Sequence, residues 1–204
     1  MIIIDGQIGV GKTTLGKTLE EVFNIPLYRE LSNSDTITIL DNFYNDKQRW
    51  SFTSQVHFLV HRFKMIKQIQ EDGRGGILDR SIFGDSIFAE VLYEDQNMTR
   101  EEFNTYESLL QNMLDLTVPP YLLIYLDCST DVALDRIKER NRDCEKIIAR
   151  DYLEKINQKY LAWYKDYDYS HKVFINTDKL NIYDEKDKAH LIDLLREHLQ
   201  DYRH

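Results

Sequence analysis

The stretch G-Q-I-G-V-G-K-T at residues 6–13 constrains the fold of this chain more than any other feature. It matches the pattern G-x-x-x-x-G-K-[ST], and it lies between an apolar segment at residues 1–4 and a segment with helical periodicity. Glycines in such a loop let backbone N–H groups turn inward around phosphate groups, and the following helix adds the positive end of its dipole. The sequence therefore predicts a strand, a phosphate-binding loop and a helix, in that order.

This loop predicts a site for ATP or a related triphosphate. Lys12 is expected to reach the β- and γ-phosphates, and the Thr13 hydroxyl is expected to bind Mg²⁺. A glycine turn that caps a helix without any ligand is the alternative, but the strand and helix on either side favour the phosphate site. The pattern does not say where the γ-phosphate goes. The candidate ATP-binding residues here are Gly6, Gln7, Ile8, Gly9, Val10, Gly11, Lys12, Thr13 and Thr14.

The rest of the chain alternates short apolar segments with longer segments of helical period. Further strands are expected at residues 25–30, 77–79, 119–127 and 172–176, with helices between them, of which 50–71 has the strongest period. Strands that alternate with helices predict an α/β fold, in which a parallel sheet of about five strands is covered by helices on both faces. We expect one domain over residues 1–204, with a short arginine-rich lid at about 140–148.

Composition limits the classes of molecule that this chain is expected to bind. A net charge of −9 argues against a general nucleic-acid binder, because affinity for phosphate backbones comes largely from surplus Lys and Arg. The longest apolar run, Y-L-L-I-Y-L, is too short to span a bilayer. Cys128 and Cys144 have no paired metal-ligand spacing, and the N-terminus does not resemble a signal peptide. We therefore expect a cytoplasmic protein whose partners are small molecules, with no nucleic acid and no membrane.

Polar residues follow the third predicted strand. Asp79, Arg80 and Ser81 stand where open α/β sheets present their ligand-binding groups. Asp79 is placed to approach the Mg²⁺, and Arg80 to hold the oxygens of a phosphoryl group in transfer. A helix cap formed by Asp79 or Ser81, with Arg80 in a surface ion pair, remains open as the alternative. Asp127, at the end of the fourth strand, is a rival carboxylate for the metal, but the helix cap in C-S-T-D at 128–131 favours the start of a turn there.

A carboxylate and three arginines complete the candidate catalytic groups. Glu30 ends the second predicted strand, where it can accept a proton from a hydroxyl that attacks the γ-phosphate. A solvated glutamate fits the same spacing. Arg136 and Arg140 lie one helical turn apart, with Arg142 just beyond. The three suit a lid that closes over ATP, and equally a solvated helix face paired with nearby acids.

The predicted helix at 50–71 carries two polar residues on the face that it should bury. Gln55 and Arg62 are seven positions apart and fall within the apolar stripe. A buried amide and a buried guanidinium both need hydrogen-bond partners. Those partners are either other groups of the protein or a ligand, and periodicity alone does not choose between them.

Together these segments resemble the deoxyribonucleoside kinase family, which includes deoxycytidine, deoxyguanosine and deoxyadenosine kinases. The resemblance covers nearly the whole chain, in order. No later motif is decisive alone, but the set with these spacings is highly specific. Besides the phosphate loop, it rests on Y-R-E at 28–30, on the segment 44–62, on L-D-R-S-I-F-G-D at 78–85 and on D-R-I-K-E-R-N-R-D-C-E at 135–145.

The resemblance implies roles for individual residues. Glu30 looks like the base that activates the sugar 5'-hydroxyl, with Arg80 beside it and Lys12 on the phosphates. Tyr44 and Glu145 look like the pair that binds the 3'-hydroxyl. The base-binding group looks like Gln55, accompanied by Arg62 and Asp85, and the lid arginines look like Arg136, Arg140 and Arg142.

The same resemblance points to a substrate class. Arg62 and Asp85 match members that accept purines or deoxycytidine, whereas thymidine-preferring members differ there. Like the shorter bacterial members, the chain is expected to favour deoxyadenosine or deoxyguanosine. Leu31 stands where the family commonly has proline, so the wall of the acceptor site is expected to differ. The implied activity is ATP-dependent phosphorylation of a deoxyribonucleoside in nucleotide salvage, by a homodimer that uses Mg²⁺.

Two other functions share parts of this pattern. A nucleoside monophosphate kinase of thymidylate kinase type has the same loop, an Asp-Arg motif and a lid. It would also need basic residues for the phosphate already on its acceptor, and the segment after Glu30 has few. A nucleotide-dependent regulatory ATPase is compatible with any phosphate loop and would bind ATP without transferring its phosphoryl group to an acceptor.

Overall fold

The computed structural model describes residues 1–30, 34–142, 145 and 148–202. Its five strands form one parallel sheet, which confirms the predicted strand number and orientation. The sheet order is β2-β3-β1-β4-β5, so the chain leaves β1 for one side of the sheet and returns to the other. The strands are β1 (Ile2–Asp5), β2 (Leu27–Tyr28), β3 (Ile77–Asp79), β4 (Leu122–Asp127) and β5 (His171–Asn176).

Helices cover both faces of the sheet. Alternate residues of its central strand are therefore buried on opposite sides. Ile3 belongs to an apolar cluster with Leu59 of the long helix that follows β2, while Ile2 and Ile4 pack with Leu15 of the first helix. No helix within the described ranges is both long enough and apolar enough to cross a membrane. The helices are α1 (Lys12–Phe23), α2 (Ser34–Asn45), α3 (Lys47–Asp72), α4 (Ser86–Glu94), α5 (Arg100–Leu114), α6 (Thr130–Arg140), α7 (Arg150–Asp166) and α8 (Glu185–Leu199), with a 3₁₀ helix at Ile82–Gly84.

The ends of α3 are set by polar caps. The Asp46 side chain accepts a hydrogen bond from the Arg49 backbone N–H at 3.0 Å, so the helix begins at Lys47, earlier than its apolar stripe indicates. At the other end, Gly73 adopts a left-handed conformation with φ of 64° and closes the helix on Ile69. The predicted stop at the glycine-rich segment is therefore confirmed.

Two other boundaries differ from the sequence prediction. Strand β2 ends at Tyr28, because only its two residues pair with β3, and Glu30 lies beyond the strand rather than at its end. The expected helix after Arg80 is divided into the 3₁₀ helix and α4. Ser81 caps the 3₁₀ helix by accepting a hydrogen bond from the Phe83 N–H at 3.3 Å, and the chain then turns at Asp85.

Candidate active site

A cavity of about 670 Å³ opens where β1 and β3 end and the phosphate loop begins. Its size suits a small-molecule site, and its wall draws on the loop, α2, α3, α6 and the segments after β2 and β3. Nearly all the residues chosen from the sequence line this cavity. Gly6, Gln7 and Asp85 are among those that do not line it.

The phosphate loop is folded as its glycines predict. Gly6, Gly9 and Gly11 all have positive φ, at 143°, 83° and 103°. The Lys12 ammonium donates to the carbonyl oxygens of Gly6 at 2.9 Å and of Gln7 at 2.7 Å, so it curls over the loop from the start of α1. The Gln7 side chain donates to the carbonyl oxygen of Cys128, the residue after β4, at 2.6 Å. It therefore anchors the loop and does not face the cavity.

Burial, helped by the nearby Arg80 guanidinium, lowers the pKa of Lys12 to about 7, against the opposite effect of Asp79 and other acids. Above that pH the free protein carries a neutral Lys12. A polyphosphate beside the ammonium favours the charged form and raises the pKa again. Binding of ATP should therefore take up a proton at pH values above 7.

We expect ATP binding at pH 8 to take up about one proton through Lys12. The measurement is calorimetric titration in two buffers with different ionisation enthalpies, because the difference in heat gives the number of protons. Lys12→Arg is the control, since a guanidinium stays charged at this pH and should show almost no uptake. Equal heats in both buffers for the parent protein would contradict the assignment.

Asp79 and Thr13 both line the cavity and contact each other there. Asp79 ends β3 opposite Ile4 of β1, and its Oδ2 accepts a hydrogen bond from the Thr13 hydroxyl. Burial raises the pKa of Asp79, and the positive charge of Lys12 is the main effect that opposes this rise. Asp79 is thus not a helix cap, and of the two candidates only Ser81 has that role. Asp127, the rival carboxylate, does not line the cavity.

Arg80 is buried and firmly held, so the surface-pair alternative was wrong. Its backbone has a φ of 75°, a conformation that side chains other than glycine rarely adopt. Its Nε lies 3.3 Å from Oε1 of Glu30, and its Nη1 donates to the Tyr160 hydroxyl at 2.5 Å. The guanidinium also stands 4.6 Å from the centre of the Phe88 ring. These contacts direct Arg80 at the carboxylate that the sequence proposed as a base.

Two residues behind Arg80 were missed from the sequence. Asp5, at the end of β1, is fully buried and accepts hydrogen bonds from the Gly6 N–H and from the Tyr160 hydroxyl, both at 2.8 Å. Tyr160 therefore connects Asp5 to Arg80. A carboxylate that directly precedes the glycine loop was a usable signal for Asp5. Tyr160 had no such signal, because it is one of several aromatic residues on α7.

The structure shows the hydrogen-bond partners of Arg62, one of the two polar residues on the buried face of α3. It is 4% exposed, its Nη2 donates to Oε1 of Glu30, and its Nη1 donates to Oδ1 of Asp85. Burial alone would raise the pKa of Glu30, but Arg62 and Arg80 outweigh it and lower the pKa to about 2. Burial raises the pKa of Asp85, and the Arg62 guanidinium opposes that rise. Two carboxylates of the protein thus pair with Arg62, while Gln55 is buried and lines the cavity.

The three arginines of the expected lid have different partners. Arg136 donates to the Thr177 hydroxyl at 2.8 Å and to the Thr177 carbonyl at 2.6 Å, which ties α6 to the segment after β5. Arg140 and Arg142 both bind Glu145, at 2.5 and 3.2 Å. Glu145 is therefore the shared ion-pair partner of two of the three arginines. The lid residues 143, 144, 146 and 147 lie outside the described part of the chain, as do residues 31–33 with Leu31.

Tyr44, on α2, lines the same cavity. It is 8% exposed and packs against Phe43, with 5.0 Å between the ring centres. Tyr44 and Glu145 both line the cavity, as the resemblance implies for residues that bind one sugar. The structure therefore brings together residues from α2 and from the segment after α6 that are about a hundred positions apart in the sequence.

A family model described as deoxynucleoside kinase matches residues 2–200. This chain belongs to the deoxynucleoside kinase family. The family resemblance seen in the sequence is thus confirmed, and with it the enzyme class, a kinase that transfers a phosphoryl group to a deoxynucleoside. The monophosphate kinase and regulatory ATPase alternatives do not have this support.

Named relatives agree with the family match. The chain is 41% identical to a deoxyadenosine kinase of Dictyostelium discoideum over 165 residues, which cover 81% of this chain and 66% of that protein. It is 37% identical to a deoxyadenosine/deoxycytidine kinase of Bacillus subtilis over 80% of this chain and 76% of the relative. A deoxyguanosine kinase of Lactobacillus johnsonii is 34% identical, over 89% of this chain and 84% of its own length.

Solved structures of a deoxynucleoside kinase share the fold. The deoxyadenosine kinase of M. mycoides, determined with the products dCMP and a flexible dCDP, has a TM-score of 0.84 and 27% identity, over 96% of this chain and 98% of that one. The same enzyme with bound dCTP has a TM-score of 0.81, over 97% of this chain and 100% of that one. The predicted kinase fold is therefore confirmed.

Proposed function

We propose that this protein transfers the γ-phosphoryl group of ATP to the 5'-hydroxyl of a purine deoxynucleoside, deoxyadenosine or deoxyguanosine, in nucleotide salvage, with deoxycytidine as a further acceptor. The observation that carries the proposal is the cluster of Glu30, Arg62 and Arg80 in one cavity with the phosphate loop. In this cluster the Glu30 carboxylate contacts Arg62, on the proposed base side, and Arg80, on the proposed phosphate side. The names of the relatives support the acceptor class.

The donor half of the cavity suits a triphosphate with Mg²⁺. The loop N–H groups and Lys12 would hold the phosphates, and Arg140 and Arg142, which line the same cavity, would add positive charge. The Thr13 hydroxyl and the Asp79 carboxylate are hard oxygen ligands in contact with each other, which fits Mg²⁺ bound together with phosphate oxygens. When bound, the ion neutralises charge on the transferring phosphoryl group.

The acceptor half provides the groups that the transfer requires. Glu30 would take the proton from the 5'-hydroxyl as its oxygen attacks the γ-phosphorus, and Arg80 would stabilise negative charge on the phosphoryl oxygens. Tyr44 and Glu145 would hold the 3'-hydroxyl, so Glu145 would exchange part of its contact with Arg140 and Arg142 for the sugar. Such positioning is the main contribution of a kinase to catalysis.

The base would lie against α3. Gln55 offers one donor and one acceptor to a base edge, and Arg62 with Asp85 adds a charged pair beside it. Phe43, Phe58 and Phe88 line the same cavity and give flat apolar walls for a purine ring. This combination supports a purine acceptor but does not choose between adenine and guanine.

We also propose one domain, a cytoplasmic setting, a lid at about 140–148 and a homodimer through the central helices. The single continuous sheet supports the first of these. Val60 of α3 is 49% exposed and supports an apolar contact on a central helix. Sedimentation equilibrium would give the oligomeric state directly.

The proposed function is tested by a phosphorylation assay with Mg·ATP. The acceptors are deoxyadenosine, deoxyguanosine, deoxycytidine, thymidine and the four corresponding monophosphates. We expect a purine deoxynucleoside to have the highest kcat/KM and thymidine the lowest among the nucleosides, with little transfer to any monophosphate. Preferred transfer to a monophosphate would contradict the proposal, as would ADP formation without any phosphorylated acceptor.

A further inference from the structure

Arg62 holds two buried carboxylates at once, and one of them is the proposed catalytic base. Its guanidinium spans Glu30, which follows β2, and Asp85, which precedes α4. The Arg62 side chain is 5% exposed, and those of Glu30 and Asp85 are 17% and 1% exposed. Arg62 also lines the cavity two helical turns from Gln55, the residue proposed to face the base. The same arginine therefore touches the base side and the catalytic side of the site.

The contact between Arg62 and Glu30 makes Glu30 a weaker base. Arg62 and Arg80 both approach a single carboxylate oxygen, Oε1, so two positive charges stabilise the ionised form. A carboxylate held in this way accepts a proton poorly, because protonation gives up both charge contacts. The low pKa of Glu30 in this arrangement agrees with that effect. Release of one arginine would make Glu30 a stronger base.

We propose that Arg62 restrains Glu30 until a nucleoside base draws the guanidinium away, and that this restraint suppresses hydrolysis of ATP by water when no acceptor is bound. The inference rests on the proposed function, since it takes Glu30 as the base and α3 as the wall that meets the nucleobase. After release, Glu30 keeps its contact with Arg80. Asp85 keeps Arg62 paired during the change, which avoids a buried charge without a partner.

The suppressed reaction is simple to write. The oxygen of a water molecule forms a bond to the γ-phosphorus, and the bond from that phosphorus to the β–γ bridging oxygen breaks. The electron pair of the broken bond leaves with ADP. The proton of the water passes to Glu30 and then to solvent, so the products are ADP and inorganic phosphate. The same carboxylate serves the 5'-hydroxyl when a nucleoside occupies the cavity.

The first test removes the restraint. Arg62→Met should raise ADP formation from Mg·ATP without nucleoside by about tenfold, because Glu30 is freed to accept the proton of water. The double variant Glu30→Gln/Arg62→Met should lose this gain. Arg49→Met is the matched control, since Arg49 is exposed on the same helix and stacks on Trp50, and it should behave like the parent. A purely structural role for Arg62 predicts lower rates and no gain that depends on Glu30.

The second test uses the unaltered protein, so it holds even if Arg62→Met does not fold. The probe 2',5'-dideoxyadenosine has the base but no 5'-hydroxyl. It should stimulate ADP formation several-fold in the parent and not in Glu30→Gln. No stimulation at saturating probe, or stimulation that persists without Glu30, would overturn the inference. Deoxyadenosine phosphorylation in the same preparation tests the proposed function separately, because it can succeed while both hydrolysis results fail.

Discussion

Replacing Glu30 with glutamine is expected to lower kcat by about 10² to 10⁴ while leaving the affinity for Mg·ATP nearly unchanged. The amide keeps the size of the side chain and can still accept a hydrogen bond from Arg62 or Arg80, but it cannot take a proton at neutral pH. Steady-state phosphorylation of deoxyadenosine gives kcat, and calorimetric titration of the nucleotide gives its affinity.

The control for this prediction is Glu21→Gln. Glu21 is exposed on α1, outside the cavity, and the same chemical change there should leave kcat as in the parent. Turnover close to the parent rate in Glu30→Gln would remove Glu30 from the base role. A loss of nucleotide affinity as large as the loss of turnover would instead indicate damage to the phosphate loop.

A second large effect is expected from Gly6→Ala. Gly6 has a φ of 143°, and a methyl group at this position would overlap the carbonyl oxygen of Leu126 and lie 3.2 Å from Cγ1 of Val10. Leu126 belongs to the buried strand β4, which cannot move aside without loss of its pairing with β1 and β5. We expect the free energy of unfolding to fall by about 3 kcal/mol or more, from clash and backbone strain together.

Gly11→Ala is the matched comparison for that substitution. Gly11 also has a positive φ, of 103°, but no atom lies within 4 Å of a methyl group added there. Gly11→Ala should therefore lower the free energy of unfolding through backbone strain alone, by about 1–2 kcal/mol. Urea unfolding of the two variants, compared at equal m-values, measures the difference. Equal losses in both would show that the contact with Leu126 is not the cause.

The phosphate loop could be predicted from sequence because its chemistry is local. Gly6, Gly11, Lys12 and Thr13 are near neighbours, and the backbone that they need is fixed by glycine itself. The place of Asp79 also followed from a general property of parallel sheets, whose carboxyl ends meet at one edge. Both predictions depended on strand order only weakly.

The contacts among distant residues could not be predicted in this way. The bond between Arg62 and Glu30 depends on how closely the chain after β2 approaches α3, and no local pattern sets that distance. Arg80 has a left-handed backbone that its residue type disfavours, so its direction is imposed by the packing of Tyr160 and Phe88. The bond between Asp5 and Tyr160 joins residues 155 positions apart.

The polar residues of α3 show where sequence reasoning ends. Periodicity identified Gln55 and Arg62 as buried and in need of partners, and the structure confirms that both are buried. It left open whether those partners were protein groups or a ligand. For Arg62 they are two carboxylates of the protein, which a stripe of apolar positions does not reveal.

The position of Trp163 makes its fluorescence a probe of movement near Arg80. The indole N–H donates to the Phe83 carbonyl at 2.8 Å, and the ring meets Tyr160 edge-on with 5.9 Å between centres. Tyr160 in turn accepts a hydrogen bond from Arg80, so movement of Arg80 changes the surroundings of the indole. The chain has two tryptophans, and Trp50→Phe would leave Trp163 as the single intrinsic fluorophore of that kind. Stopped-flow emission could then follow acceptor binding in real time, without any attached dye.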